Sequence, residues 1–505
     1  MKKLIFTILS VVLLASSCDM NKKPHYVIDD QSAIQSVEDA LKMRNYLYIR
    51  LRGMSAGSYI YTGELMSDLF HATIGFGNRG GVYYRWQWSA SDEVAEGVWA
   101  GCYTTTANAN FLLEQLAKLD QTAMSDDDKA MLSVIEGECA FMKAYTMFYL
   151  VQLFSEPYTK NPNALGVMLV PKYNPTSDQS QYPGRSTVAE TYTFIEENLK
   201  IAAQKLAKVE GAVASEYLTI DAVTALQARI ALYKGDYATA IEKSTSLIDA
   251  AKYEFIADED EFEDLWTNDS GKECIMQLYA DYALSSLPSS LSYNYSGISN
   301  ASGTVSPDYI PENWVLNLYE AGDVRASWFE GYTLTFQNIK GGAYILNKFP
   351  GNPELNAADA KDSNWINKIK LFRIAEQYLI AAEAYAMQGG NDIVALKYYN
   401  DLRRSRIAGY QDESMIGDAL VEAIRNERVR ELIGEGFRFY DLKRYGKGFE
   451  RSQGQNDNIL NGANDTQSEL LSKPASDYRW LWPIPQAEID SNPQIKEQQN
   501  GGYTN

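Results

Sequence analysis

The chain has 505 residues, a formal net charge of −20 and only 2 histidines. The excess of acidic side chains argues against a nucleic-acid partner, because binding to phosphates needs a basic surface. His25 lies near the start of the chain, so the folded body has effectively one histidine, His71. This disfavours a histidine-based catalytic triad and any multi-histidine metal site, whereas a glycosidase that uses carboxylates alone stays possible.

Residues 1–17 have the pattern of an export signal. Two lysines precede an apolar run over 4–14 that is too short to span a bilayer. Small residues then lead to Cys18, as in a bacterial lipobox, in which the cysteine is lipidated. We predict a lipid anchor at Cys18 and a polar tether over 18–30; the alternative is a plain secretory peptide cut nearby. Removal of the signal takes away two lysines and changes the charge from −20 to −22.

Amphipathic periodicity predicts helices along most of the remaining chain. They cover 33–52, 103–119, 127–154, 187–208, 219–234, 236–251, 371–388, 391–406 and 414–433. Three segments break this pattern. Residues 55–98 are rich in Gly, Tyr and Trp, 155–186 contain five prolines, and 267–370 are rich in Ser, Asn, Gly and Tyr. Loops of this length in a compact protein are usually functional or hold small strands.

Two segments have the pattern of tetratricopeptide repeats, in which two antiparallel helices pack closely. Residues 225–248 place alanines on both sides of a turn at Gly235, and 378–403 do the same around Gly389. Small residues allow the helices to approach, and glycine closes the turn. Residues 139–154 could be half of a third pair. Because the pairs are not consecutive, we predict that they brace one globular body instead of forming a free solenoid.

Charged residues are concentrated in the segment EAIRNERVRELIGEGFRFYDLKRYG, residues 422–446. Glu427 and Glu431 are four residues apart and share one helical face. We predict a structural ion network that joins helices, instead of acid–base chemistry. Its other expected members are Arg428, Arg430, Arg438, Arg444, Glu435 and Asp441.

The segment WPIPQAEIDSNP, residues 482–493, contains three prolines. Proline favours extended backbone and lacks an N–H group, so we predict an extended strap over the body that cannot become a helix.

The order of these motifs resembles the SusD/RagB family of outer-membrane lipoproteins of Bacteroidetes-type bacteria. KLFRIAEQYLIAAEAYAMQGG (370–390) is followed by ALKYYNDLRRSR (395–406), then by the charged segment, then by WLWPIPQAEIDSNPQIKEQQNGGY (480–503). In the N-terminal half, GELMSDLF (63–70) and VWAGCYTTTANANFLLEQL (98–116) agree with the same family. The resemblance extends from Cys18 to the C-terminus.

Members of this family bind glycans, or in some cases peptides, at the cell surface. They pass the ligand, without chemistry, to a SusC-like TonB-dependent transporter on which they sit as a lid. The resemblance therefore implies a cell-surface glycan-binding lipoprotein at the outer membrane. It also implies a mostly α, SusD-like fold in which helix pairs face the transporter and long irregular loops bind the ligand. The body would comprise 31–505, with helix pairs around 127–154, 219–251 and 371–406 and a loop-rich insertion over 267–370.

Two aromatic clusters are candidates for the ligand platform, because the C–H faces of sugars stack on flat rings. In NRGGVYYRWQW (78–88), three rings at alternate positions would share one face of an extended segment. The second cluster lies in the insertion and includes Tyr309. The predicted ligand-binding residues are Asn78, Arg79, Tyr84, Trp86, Trp88, Tyr293, Tyr295 and Trp314. The tryptophans inside the family motifs, Trp99, Trp480 and Trp482, are predicted to be structural.

Three other readings stay open. The same architecture could bind peptides or another nutrient. The pairs Glu64/Asp68 and Asp92/Glu96 keep a carboxylate glycosidase as a less favoured alternative. The acidic run at 258–266 could bind calcium, although it lacks the glycine and spacing of an EF-hand and is expected to be a solvated charge run. No other cofactor is expected. The remaining cysteines match no metal-site spacing and are expected to be buried: Cys102, Cys139 and Cys274.

Overall fold

The computed structural model describes residues 33–77, 79–281, 290–299, 303–355, 366–451, 454–460 and 471–503. About half of these residues are helical. The helices are α1 Val37–Met54, α2 Ser58–Leu65, α3 Gly81–Tyr84, α4 Glu93–Lys118, α5 Asp126–Phe154, α6 Val188–Lys205, α7 Ile220–Lys234, α8 Tyr237–Asp249, α9 Glu259–Thr267, α10 Leu291–Ser296, α11 Asn313–Leu316, α12 Ile374–Gln388, α13 Asp392–Arg406, α14 Gly417–Leu432, α15 Arg438–Tyr445 and α16 Gln486–Ser491.

The strands form antiparallel pairs that connect segments far apart in the chain. They are β1 Phe70–Ala72, β2 Leu165–Met168, β3 Arg185–Thr187, β4 Cys274–Leu278, β5 Ile298–Ser299, β6 Thr304–Val305, β7 Tyr309–Pro311, β8 Phe329–Phe336, β9 Ile339–Leu346, β10 Ile369–Arg373, β11 Phe449–Glu450 and β12 Ser472–Lys473. β1 pairs with β7, β2 with β3, β4 with β10, β5 with β6, β8 with β9 and β11 with β12. Most of the strands from β4 to β10 lie in the segment that lacked helical periodicity.

All nine predicted helices are present, and their ends are set by local capping. The α6 helix starts with a reciprocal capping box between Thr187 and Glu190. The α4 helix begins well before the predicted start at 103, because the Asp92 side chain accepts hydrogen bonds from Val94 N and Ala95 N. The sequence pattern missed this first stretch of α4, since its apolar residues are mixed with the Gly- and Trp-rich segment before it.

The predicted helix pairs are confirmed. Helix α8 packs against α7 and α12, and α13 packs against α12. Gly235 ends α7 with φ of 80°, a left-handed conformation that glycine adopts without strain. The alanines that face the partner helices are fully or almost fully buried: Ala228, Ala231, Ala240, Ala381, Ala382, Ala384 and Ala395. The free cysteines Cys102, Cys139 and Cys274 are also buried, as predicted.

The C-terminal strap packs on the body as expected, but one part of its prediction is wrong. Residues 486–491 form helix α16, with Pro485 as the residue before its first turn. Proline is compatible with this position because the first N–H groups of a helix have no partner within the helix. The strap buries Trp482, which is 2% exposed, and fully buries Ile495.

The predicted ion network exists and is larger than the sequence indicated. Glu427 accepts hydrogen bonds from Arg325 Nη1 at 2.6 Å, Arg403 Nη1 at 2.9 Å and Arg430 Nη1 at 2.8 Å. Glu431 contacts Arg373 Nη1 at 2.6 Å. Both glutamates are fully buried.

The rest of the network extends to distant elements. Arg406 pairs with Glu431 and Glu273, and Arg373 also pairs with Glu435. Asp441 accepts from Arg428 and Arg444, as predicted. The network thus connects β10, α13, α14 and α15, so its function is structural. No helix in the described part of the chain is both long and apolar enough to cross a membrane.

Candidate functional site

The aromatic cluster predicted around residue 86 is part of the core. Tyr84, Trp86 and Trp88 are 4%, 0% and 6% exposed. Their predicted extended geometry is wrong, because Gly81–Tyr84 forms a helical turn and Trp86 has a φ of 56°. A bulky residue adopts this strained conformation only when its packing holds it there. The centroid of the Trp86 ring lies 4.8 Å from that of Trp480, so these rings offer no surface to a ligand.

Most of the second predicted cluster is also buried. Tyr295 and Tyr309 are 2% and 1% exposed. The Tyr295 hydroxyl donates to Gly434 O at 3.2 Å. Trp314 is half-buried, and its Nε1 donates to Asp68 O at 3.0 Å. Their predicted exposure is therefore wrong for the two tyrosines, since the insertion folds back and packs its rings against β1 and α2. Trp99, Trp480 and Trp482 are buried, as predicted.

Two of the predicted ligand residues meet at the surface. The Arg79 guanidinium lies 4.6 Å from the centroid of the Tyr293 ring, and Arg79 Nε lies 2.5 Å from Asp308 Oδ2. The Arg79 side chain is 44% exposed. Arg79, Tyr293 and Asp308 are called the Arg79 patch below. Asn78, predicted to act beside them, lies outside the described residues.

A groove that the sequence did not indicate runs along α1. It has two chambers, each of about 390 Å³, which share Ile49 and Arg52. We call it the α1 groove. Its outer chamber is lined by Asn45, Tyr48, Ile49, Arg52, Glu216, Tyr217, Leu278 and Tyr279. Its inner chamber is bounded by α1, β10 and the start of α10, and includes Arg50, Tyr59, Arg229, Trp266, Phe349, Lys368, Lys370 and Glu435.

The outer chamber presents two exposed tyrosine rings. Tyr217 is 43% exposed and Tyr279 is 48% exposed. Tyr217 precedes α7, and Tyr279 directly follows β4, so both rings are attached to the ends of regular elements. The Tyr279 hydroxyl donates to Asp281 Oδ2 at 3.0 Å. An amphipathic ring with one open face suits a ligand that has both apolar C–H groups and hydroxyls.

The buried ion pair between Arg44 and Glu138 supports the Tyr217 ring. The Arg44 guanidinium lies 4.1 Å from the ring centroid, and the Tyr48 ring meets it edge-on at 5.0 Å. Arg44 and Tyr48 lie four residues apart on α1, so they share one face of the helix. Both donate to Glu138, Arg44 through Nε and Nη2 and Tyr48 through its hydroxyl, each at 2.6 Å. The ring is therefore presented in one orientation before any ligand arrives.

Tyr48, which contacts the Tyr217 ring, keeps its hydroxyl proton. Burial raises the pKa of Tyr48 well above its ordinary value, and the nearby Glu138 raises it further. Tyr48 thus stays a hydroxyl donor to the Glu138 carboxylate at physiological pH.

The inner chamber brings cations together in an otherwise acidic protein. Arg229 binds Glu376 at 2.6 Å and Lys370 binds Asp269 at 2.8 Å. Lys368 binds Glu216 at 2.9 Å in a pair whose side chains are 28% and 38% exposed. These pairs join α7 and β10 to their neighbours around the chamber.

Arg50 has neutral hydrogen-bond acceptors. Its Nη2 donates to Gly101 O at 3.1 Å, and its Nε donates to Thr105 Oγ1 at 3.3 Å. Gly101 leaves room for the Tyr59 side chain, since a Cβ atom at this position would meet the Tyr59 hydroxyl.

The carboxylates proposed for a glycosidase lie elsewhere. Glu64 is fully buried, burial raises its pKa to about 7, and its Oε1 accepts from Gly436 N at 2.6 Å. Asp68 forms a bidentate ion pair with Arg438. Asp92 caps α4. These carboxylates do not line the α1 groove.

The acidic run at 258–266 begins helix α9. Asp258 is its N-cap and accepts from Glu261 N at 3.0 Å. Carboxylates in the first helical turn interact favourably with the helix dipole. Among the residues that the structure describes, no three His, Cys, Asp or Glu side chains form a group that could hold a metal ion. Calcium binding by this run stays an untested alternative to the expected solvated charge run.

Two family models match the chain. A model described as "Starch-binding associating with outer membrane" matches residues 30–232, and a model of the SusD family matches residues 292–503. Together they cover both halves of the molecule. A SusD-like protein of Formosa agariphila is 22% identical over an alignment of 435 residues, in a match that covers 79% of this chain and 78% of that protein.

Solved structures share the fold over almost the whole chain. A SusD superfamily protein from Bacteroides thetaiotaomicron is 28% identical, with a TM-score of 0.77, and the match covers 92% of this chain and 99% of that one. A SusD-like carbohydrate binding protein from Bacteroides vulgatus is 19% identical, with a TM-score of 0.74 over 94% and 100%. Surface glycan-binding protein A from Bacteroides fluxus is 20% identical, with a TM-score of 0.71 over 93% and 100%.

Proposed function

Because this chain belongs to the SusD/RagB family, we propose that it binds glycans at the surface of the outer membrane and does no chemistry on them. The observation that carries the proposal is the outer chamber of the α1 groove, which combines the exposed rings of Tyr217 and Tyr279 with polar side chains. Sugar rings stack their C–H faces on such rings, while Asn45 and Glu216 offer partners for hydroxyls. The names of the related carbohydrate-binding proteins support the same ligand class.

The proposed binding mode uses support that exists before the ligand arrives. The ion pair between Arg44 and Glu138 fixes the Tyr217 ring, so stacking costs little side-chain entropy. The Arg79 patch is a second surface at which an extended glycan would find a ring and a guanidinium together. Helix α10 lies between the two, since its first residue lines the groove and Tyr293 belongs to the patch.

Replacing Tyr217 and Tyr279 with alanine together is expected to weaken glycan binding at least tenfold, since losing the apolar contact of two rings should cost more than the ~1.4 kcal/mol that corresponds to a factor of ten. Isothermal titration calorimetry against glycans that bind the wild-type protein would measure the change. Both rings are about half exposed, so the urea midpoint of unfolding should change little.

Tyr344→Ala is the matched control for this prediction. Tyr344 is 51% exposed and lies on strand β9, and it does not line the groove. Equal losses of binding in the groove variant and the control would contradict a site at the α1 groove.

We also propose that the ligand passes to a SusC-like TonB-dependent transporter, with this protein as its lid. Family membership supports this partner, and the resemblance implies that the helix pairs α7–α8 and α12–α13 face it. A transporter of this type should co-purify with the tagged chain from detergent-solubilised outer membranes. Repeated isolation of the chain alone would argue against the partnership.

The lipid anchor proposed at Cys18 gives a direct test of location. Cys18→Ala should remove the acyl chains and release the protein into the soluble fraction, because membrane affinity then depends on a short polar tether. Cell fractionation with immunoblotting would show the shift, and circular dichroism should show unchanged folding. If the variant stayed in the membrane fraction, the anchor would have to lie elsewhere.

A further inference from the structure

The charges that line the α1 groove are opposite in sign to the charge of the whole protein. Five cationic side chains face the two chambers, against two carboxylates, Glu216 and Glu435, in a chain of net charge −20. The cations are Arg50, Arg52, Arg229, Lys368 and Lys370. A cleft lined by one sign of charge concentrates ligands of the other sign.

Two of these cations are neutralised by buried carboxylates. Lys370 and Asp269 are 3% and 1% exposed, and Arg229 is held by both oxygens of Glu376. Their charge is used to join β10 and α7 to the body. Burial lowers the pKa of Arg52, and the opposite charge of Asp281 partly offsets this by raising the pKa. The remaining cations, Arg50 and Lys368, are the ones that a ligand can use.

Arg50 is the clearest case. Arg50 is partly buried, its two hydrogen-bond acceptors are a backbone carbonyl and a hydroxyl, and no ion pair among the described residues includes it. A partly desolvated cation without a counter-charge is unfavourable, and an anion in the cleft would relieve that cost. The planar guanidinium matches the two oxygens of a carboxylate or sulfate group.

Lys368 can assist without a large energetic cost. Its partner Glu216 stands in the outer chamber, and their pair is open to water. Exposed ion pairs of this kind contribute only about 0–1 kcal/mol, so the ammonium group can turn toward an anion in the groove.

We propose that the α1 groove selects acidic glycans, in which a carboxylate or sulfate group binds Arg50 in the inner chamber while a neighbouring sugar stacks on the tyrosines of the outer chamber. This inference rests on the proposed function and names its ligand class. The rings favour a glycan over an acidic peptide, because two open tyrosine faces suit the flat C–H surface of sugar rings.

The experiment uses the full-length chain and a panel of defined polysaccharides. The acidic probes are polygalacturonate and dextran sulfate, and the neutral probe is unmodified dextran, with other carboxylated, sulfated and neutral polysaccharides on the same array. We expect acidic members to bind more tightly than neutral ones. The affinity should fall as sodium chloride rises from 20 to 200 mM, because an exposed charge contact is screened.

Arg50→Gln is the decisive variant. Glutamine keeps a donor for Gly101 O but removes the charge, so affinity for the acidic probes should fall roughly tenfold to a hundredfold, the value of a charged hydrogen bond. The urea midpoint of this variant should match that of the wild type. Arg404→Gln is the control, since Arg404 is 50% exposed and pairs with Asp412 away from the groove.

Four results would overturn the proposal that the groove selects acidic glycans through Arg50. Preference for neutral glycans, with Arg50→Gln harmless, would overturn the inference and leave the proposed function standing. Failure to bind any glycan would overturn both. Binding of a poly-glutamate peptide but no acidic glycan would favour a peptide ligand and overturn the inference. Equal losses in Arg50→Gln and Arg404→Gln would show general charge attraction instead of a site at Arg50, which also overturns it.

Discussion

Glu427→Gln should destabilise the protein by about 3–5 kcal/mol at pH 7, the cost of removing one partner from a buried ion pair. Glu427 is fully buried and accepts from three arginines on three different segments, Arg325, Arg403 and Arg430. Glutamine has nearly the same volume, so the loss reflects charge and not packing. Chemical denaturation followed by tryptophan fluorescence would measure it.

The destabilisation caused by Glu427→Gln should disappear in acid, because the pKa of Glu427 is lowered in the folded protein. Burial raises the pKa of Glu427, but the arginines outweigh it and lower the pKa from 4.5 to about 2. A carboxyl with a lowered folded pKa stabilises the fold fully above the unfolded value and loses this contribution as pH falls toward the folded value. The wild type and Glu427→Gln should therefore differ most above pH 4.5 and converge as the pH approaches 2.

A control on the same helix separates burial from charge. Glu422, also on α14, pairs with Lys447 at 2.8 Å, and these side chains are 52% and 45% exposed. Glu422→Gln should change the free energy of unfolding by less than about 1 kcal/mol. A large loss in this variant, or none in Glu427→Gln, would contradict the structural role of the network.

The second large effect concerns Trp86. Replacing it with alanine should cost about 3–5 kcal/mol, because a fully buried aromatic ring leaves a cavity that the surrounding structure fills only in part. The ring is 0% exposed, packs on Trp480, Trp88 and Phe449, and donates from Nε1 to Met66 O at 3.2 Å. Adding Trp88→Ala should cost more, although less than the sum of the single changes, since the two rings touch.

The measurement is the urea midpoint, with Tyr344→Ala as a matched aromatic truncation on the surface. That control should leave the midpoint nearly unchanged. If Trp86→Ala kept full stability and abolished glycan binding, the ring would belong to the ligand site that its sequence context first indicated.

The helices could be predicted because their signals are local. Apolar residues at helical spacing specify a helix, and glycines such as Gly235 end one, through interactions with residues only a few positions away in the sequence. Only part of the ion network could be predicted. Glu427 and Glu431 can be recognised in the sequence, because they are four residues apart on one helical face and lie among arginines. Their partners Arg325 and Arg373 come from distant segments, so no local pattern pairs them.

The candidate site was harder to predict, for a physical reason. Alternating rings share a face only if the backbone is extended, and the turn at Gly80, with φ of 66°, changes that geometry at residues 81–84. Tyr217 and Tyr279 stand alone in the sequence and lie far apart in it. The one usable signal was Arg44 and Tyr48, four residues apart on one face of α1, which together hold the Tyr217 ring.

The C-terminal strap has a consequence for the order in which the chain folds. Trp482 N donates to Leu153 O at 2.9 Å, and the buried Arg185 donates to Gln498 O at 2.7 Å and Asn500 Oδ1 at 2.9 Å. Leu153 O near the end of α5 and Nη1 of the Arg185 side chain therefore lack these partners until residues 482–500 have been synthesised. We expect the part of the main core around Trp482 and Ile495 to close only once this last segment is present, because both side chains are buried there. A core that is completed late would keep the chain competent for the export that residues 1–17 predict.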